Sequence, residues 1–206
     1  MKKKNKKTLI ILGVITAIIV ILGYFYFNSQ VTTGLQLRIT DAPGDMESLI
    51  LSISQVRVNS PSGWIVVNDN PQTFDLINLN RLGLSSIIGD VALEPGRYEQ
   101  IRLNIDSAIV KINGVDYSVT IPSRELKIIS GFNIEEGKKT ILTLDFDAQN
   151  SINLNDNNQG YKLRPTVKVL YENVECTQET DCGISTSNTT YSCSNNKCSA
   201  TPIISI

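Results

Sequence analysis

The chain has 206 residues, with 19 Lys and Arg, 20 Asp and Glu, and no histidine. Without imidazole there is no usual general base, no usual zinc ligand and no triad of the Ser-His-Asp type. The basic residues beyond the N-terminus are scattered along apparent strands, which argues against a nucleic-acid partner, since such a partner requires clustered Lys and Arg.

Residues 8–27, TLIILGVITAIIVILGYFYF, contain no charge. At about 1.5 Å per residue this run is long enough to cross the roughly 30 Å hydrocarbon core of a bilayer as a helix. Lys2, Lys3, Lys4, Lys6 and Lys7 precede it and no basic residue follows until Arg38. That asymmetry predicts a cytoplasmic N-terminus, a single pass through the cell membrane and an extracytoplasmic remainder. A cleaved signal peptide would have a shorter apolar core and small residues at its cleavage site, whereas this run ends in Tyr24, Phe25, Tyr26 and Phe27. A lipoprotein anchor would need a cysteine just beyond the run, and the first is Cys176. With the five lysines inside, the exported part holds 14 basic and 20 acidic residues, a formal charge of −6.

A polar stalk, 28–33, leads to Gly34. Leu35, Leu37 and Ile39 then alternate with polar residues as in a half-buried strand, which stops at the turn-forming run from Asp41 to Asp45. A strand over 49–58 switches phase between Ile53 and Val56, predicting a β-bulge near Ser54 and Gln55. Strands at 64–67 and 73–79 follow. Residues 80–96 lack a clear period and suit one helical turn or a hydrophobic loop. Further strands are predicted at 98–106 and 108–112, and Asn113-Gly114 predicts a tight hairpin into 115–121. A short strand at 126–129, another at 140–147 and a long one at 161–171 complete the series, with Pro165 marking an edge or a bulge. Short alternating strands with no long amphipathic helix predict an all-β antiparallel sandwich over 34–171, Ig-like or transthyretin-like in style, with a closed barrel as the alternative.

The tail, 172–206, holds all four cysteines in the pattern C-x5-C-x10-C-x4-C. In an exported segment this predicts two disulfides. Of three possible connectivities, Cys176 to Cys193 with Cys182 to Cys198 is expected, because it ties the short loops to one another. The tail is expected to form a separate knob on which the sandwich does not depend.

The segments LQLRITDAPGD, QVRV, GWIVV, TFDLINL, LEPGRYEQIRLNI, IPSRELKI, LTLDFDAQNSI and YKLRPTVKV stand in an order that resembles a prokaryotic family, the domain of unknown function four-three-eight-two. TDAPGD and LDFDA are its most specific parts. The resemblance implies an extracytoplasmic β-sandwich with no established activity. The tail is outside that domain and is similar to small cysteine modules, often ending NGKC or NNKC, on exported prokaryotic proteins.

Asp41, Asp45, Asp145 and Asp147 are the carboxylates of the two specific motifs and candidate ligands for calcium, which prefers several converging oxygens. The competing reading gives Asp41 a turn-capping role and leaves Asp145 and Asp147 solvated on a strand face. No ordered D-x-D-x-D-G loop is present, and no cofactor is implied. Ser123 and Lys127 are one residue too far apart for S-x-x-K. Trp64, Tyr98, Tyr117 and Tyr161 would suit stacking on sugars, but strand aromatics are expected in the core. Asn188 opens a glycosylation sequon, Asn188-Thr189-Thr190. The function expected is a cell-envelope or surface module that binds or supports, with envelope glycan or a surface protein as partner. The competing reading is a carbohydrate-active hydrolase using paired carboxylates.

Overall fold

The computed structural model describes residues 3–28, 33–41, 46–154, 160–179, 182, 189–195, 197–202 and 204–205. The chain forms two compact units, residues 1–32 and residues 33–206. The first is helix α1 (Lys3–Asn28). Its described side chains, at 10–22, are exposed all round, so no part of this unit buries them. Among the described residues no helix is long and apolar enough to cross a membrane; the segment 10–22 alone is shorter than the about 20 residues a span requires.

The second unit is mostly strand. Its first half runs β1 (Gly34–Asp41), β2 (Ser48–Ser60), β3 (Gly63–Asn68), β4 (Gln72–Asp75), α2 (Leu76–Arg81), β5 (Ser86–Ala92), β6 (Gly96–Ile112) and β7 (Val115–Thr120). It continues through β8 (Glu125–Ile134), β9 (Lys139–Phe146), α3 (Ala148–Ser151), β10 (Ile152–Leu154), β11 (Tyr161–Leu163), β12 (Val167–Glu175), β13 (Thr189–Ser194), β14 (Lys197–Pro202) and β15 (Ile204–Ser205). One sheet has the order β13-β14-β12-β9-β1-β5; the larger has β10-β11-β7-β6-β2-β3, with β4 on β2 and β8 between β6 and β15. The period-two apolar positions of both sheets enter one buried cluster. Leu35, Leu37, Ile39, Leu142, Leu144 and Phe146 come from the smaller sheet, and Leu49, Leu51, Val58, Ile101, Leu103 and Leu126 from the larger.

Several sequence expectations meet the structure here. The phase switch in β2 is a register irregularity on β6 around Ile53 and Gln55, as the bulge reading requires. Asn113 and Gly114 have φ of 51° and 76°, the left-handed pair of a tight hairpin between β6 and β7. The sheets are not wholly antiparallel. β1 runs parallel to β9, with Gly34 opposite Lys139 and Asp41 opposite Phe146, and β7 runs parallel to β11. Strand period fixes which face a residue takes and carries no direction, so only three-dimensional pairing reveals this.

The expected strand 161–171 is two strands in different sheets: β11 joins β7, and β12 joins β9 and β14. The change falls at 164–166, where Pro165 offers no N–H to a ladder. The expected strand 73–79 ends early, since the Asp75 carboxylate accepts the Asn78 N–H at 3.2 Å and starts α2. The uncertain stretch that follows contains β5, antiparallel to β1. Finally, the tail is no separate knob. β14 pairs with β12, β13 with β14, and β15 with β8, and Cys176, Tyr191, Cys198 and Ala200 are buried in the common cluster.

Candidate functional site

Asp41 and Asp147, two of the four calcium candidates, meet at the start of α3. Parallel pairing of β1 with β9 brings the end of β1 beside that helix. The Asp41 side chain is 3% exposed and its Oδ1 accepts the Ala148 N–H at 2.8 Å. Asp147 caps the same helix: its Oδ1 accepts the Asn150 N–H at 2.9 Å and its Oδ2 the Asn150 Nδ2–H at 2.6 Å. Asn80, just before the end of α2, donates to the Asp41 carbonyl. Both carboxylates therefore satisfy donors of a helix end that would otherwise lack partners.

Asp145 stands beside them on β9, opposite Thr40 and Lys168. Burial pushes its carboxyl above the ordinary value; Lys168 opposes this and Asp147 adds to it. Asp45 lies outside the described residues, as does Asn188. Among the described residues no three carboxylates gather within reach of one ion; the one such group of ligand types is Cys176, Cys182 and Cys198. Those thiols are bonded, Cys176 to Cys193 and Cys182 to Cys198, the interleaved pairing.

Ser123 Oγ accepts the Glu125 N–H and donates to the Glu125 carbonyl, which makes it a turn brace. Asp69 and Asp90 line one open cavity of about 560 Å³. A hydrogen bond from Lys139 holds Asp90 below the ordinary carboxylate range, aided by Gln36 and against a burial effect. A general acid needs the opposite displacement. A second cavity, of about 310 Å³, is lined by Arg97, Lys138, Lys139 and the Cys182–Cys198 bridge. Its cations face their own acids: Glu99, Glu135 and Asp90.

The aromatic residues divide. Tyr98 is core, stacked on Phe132 at 5.4 Å between ring centroids. Tyr117 is exposed and meets Tyr161 edge-on at 5.2 Å. Trp64, expected in the core, is 38% exposed on β3. It belongs to the outer face of the larger sheet because Val67, three residues on, takes the inward position.

Around Trp64 that face is built from neighbouring strands in register. Val66, Arg57, Arg102 and Lys127 form one row across β3, β2, β6 and β8; Trp64, Asn59 and Gln100 form the next. The Arg102 guanidinium carbon lies 4.0 Å from the Trp64 ring centroid and that of Arg57 lies 5.7 Å away. Glu125 clasps both arginines, at 2.5 Å from Arg57 Nη2 and 2.9 Å from Arg102 Nη1. Gln100 Oε1 accepts the Arg102 Nε–H at 3.0 Å. Both guanidiniums are about three-quarters covered while the indole is the more open group, so the ring roofs the cations and keeps a face toward solvent. Such a contact contributes about 0.5–2 kcal/mol, depending on desolvation. Arg57 Nε is buried without an acceptor, so the arrangement carries an unsatisfied donor.

Sequence reading missed Arg57, Arg102 and Glu125. The signal available was charge at outward strand positions near the chain's single tryptophan, but bringing them together required the order β3-β2-β6-β8. The model of the family described as Domain of unknown function (DUF4382) matches residues 32–165. That span includes every residue of the Trp64 cluster and excludes all four cysteines. No curated protein and no solved structure matches the chain.

Proposed function

The chain belongs to the DUF4382 family, and from that premise we propose that it is a membrane-anchored, extracytoplasmic binding module of the cell envelope that meets its ligand on the Trp64 face. The observation that carries this reading is the open indole mounted on two clasped arginines. A large aromatic on a rigid strand, ringed by polar groups, is the residue pattern of a binding hot spot. The uncharged run 8–27 and the lysines before it support the anchor and its orientation. The exposure of residues 10–22 on every side supports it too, because a helix apolar all round needs a nonaqueous surrounding.

The hydrolase reading is weaker, since Asp41 and Asp147 cap a helix, two arginines clasp Glu125 and Lys139 holds Asp90 down, which leaves Asp145 as the one carboxyl among these that burial raises. One experiment separates the two. The full-length protein in detergent is melted against a panel of soluble glycans and peptides, each recovered afterwards and assayed for new reducing ends or cleavage. Binding without turnover is expected, with a ligand at about 100 times its Kd adding roughly 2.7 kcal/mol. That shift should disappear in Trp64→Ala. A ligand recovered cut would favour the enzyme, and a panel with no Trp64-dependent shift would remove this face as the binding site.

A further inference from the structure

Building on the proposed binding role, we propose that the Trp64 face takes an acidic glycan, a polymer of pyranose rings bearing carboxylates. The exported part is acidic, at −6, yet this face reverses the sign. Arg57, Arg102 and Lys127 stand in one row and only Glu125 opposes them within the cluster. Glu125 is one carboxylate shared by two guanidiniums, so one positive charge of that clasp is uncompensated, and Lys127 adds a second. A general polyanion trap would place its cations at exposed tips. Here the two arginines lie beneath an aromatic ring, and that geometry favours a flat ring over a bare charge.

A pyranose stacked on the open side of the indole would set its hydroxyls over Asn59 and Gln100, which flank Trp64 in the neighbouring row. Its carboxylate would fall toward Arg57, Arg102 and Lys127. At the rim of the indole the carboxylate meets the positive charge of that row, whereas a cationic ligand would be repelled there. An acidic protein segment without rings would answer the charge but lay nothing flat on the indole. A neutral glycan would leave the charge of the row unanswered.

The chain's single tryptophan is itself the probe. The full-length protein in detergent is titrated with oligogalacturonate, with neutral galactan oligomers of equal length and with polyglutamate, following indole emission and, in parallel, calorimetry. Oligogalacturonate alone should change the emission, with an affinity that falls as salt rises. By calorimetry Trp64→Ala should weaken it at least about tenfold. Lys127→Gln, which leaves the Glu125 clasp intact, should weaken it about fivefold at low salt and flatten the salt dependence. Trp64→Phe keeps a ring and should retain most of the affinity, which guards against a loss caused by misfolding. Equal affinity for galactan would overturn the acidic class while leaving the binding role standing. Polyglutamate binding as tightly would overturn the sugar. Oligogalacturonate binding unchanged in Trp64→Ala, or none at low salt, would overturn the proposal outright.

Discussion

Asp41 ends β1 with its carboxylate buried and one oxygen on the Ala148 N–H, 107 residues ahead in the chain. Asp41→Ala would strand that buried donor and is expected to destabilise the protein by about 1–3 kcal/mol in denaturant unfolding. Asp41→Asn keeps an acceptor oxygen and should recover most of the loss. An alanine variant as stable as the parent would show the bond to be idle. At this scale the sequence was legible in part. TDAPGD and LDFDA announced themselves as special through carboxylates beside turn residues, but carboxylates suit cations and helix caps alike. The parallel neighbours β1 and β9 bring Asp41 and Asp147 to one helix end, where both accept its N–H groups. The Trp64 assignment failed for a related reason: an aromatic in a short strand has two faces to choose from, and Val67 claims the inner one.

Strands whose apolar residues alternate cleanly in sequence, such as β1 and β9, were readable because one buried face imposes period two. The Asn113-Gly114 hairpin was readable because few residues accept two positive φ values in succession. Gly114→Val should cost roughly 1 kcal/mol or more, since a β-branched residue resists φ of 76°. Thermal melting checks this, and an unchanged midpoint would mean that the hairpin tolerates another turn. Shorter elements escaped. A six-residue helix such as α2 is too brief to show a 3.6 period, and Leu76, Ile77 and Leu79 suit either structure. In the tail, β13 and β14 escaped because serine and threonine masked the buried positions Tyr191, Cys198 and Ala200.

Those tail strands change what the two bridges do for the molecule. Tyr171 on β12 and Tyr191 on β13 both donate to the Gly131 carbonyl on β8, at 3.0 and 3.3 Å, so the tail is tied to both sheets. The Arg97 guanidinium lies where a Cβ on Gly131 would stand, so a side chain there would have to displace it. The bridges span 17 and 16 residues and each should contribute about 3 kcal/mol on the chain-entropy model. Reduction is therefore expected to lower the main melting transition, by about 6–12 °C per bridge lost, instead of melting a detached tail as sequence reasoning had it. A main transition that stays in place in reductant would restore the separate knob. The parallel junction of β1 and β9 also sets a timetable. Strands β2, β3, β4, β6, β7 and β8 find one another within residues 48–134, whereas β1 meets β5 at Ser86–Ala92 but its second neighbour only at Lys139–Phe146. Distant pairings form slowly because the intervening loop must close first. The first strand to leave the ribosome thus keeps one edge bare until β9 is made, and that edge is a surface that chaperones would see.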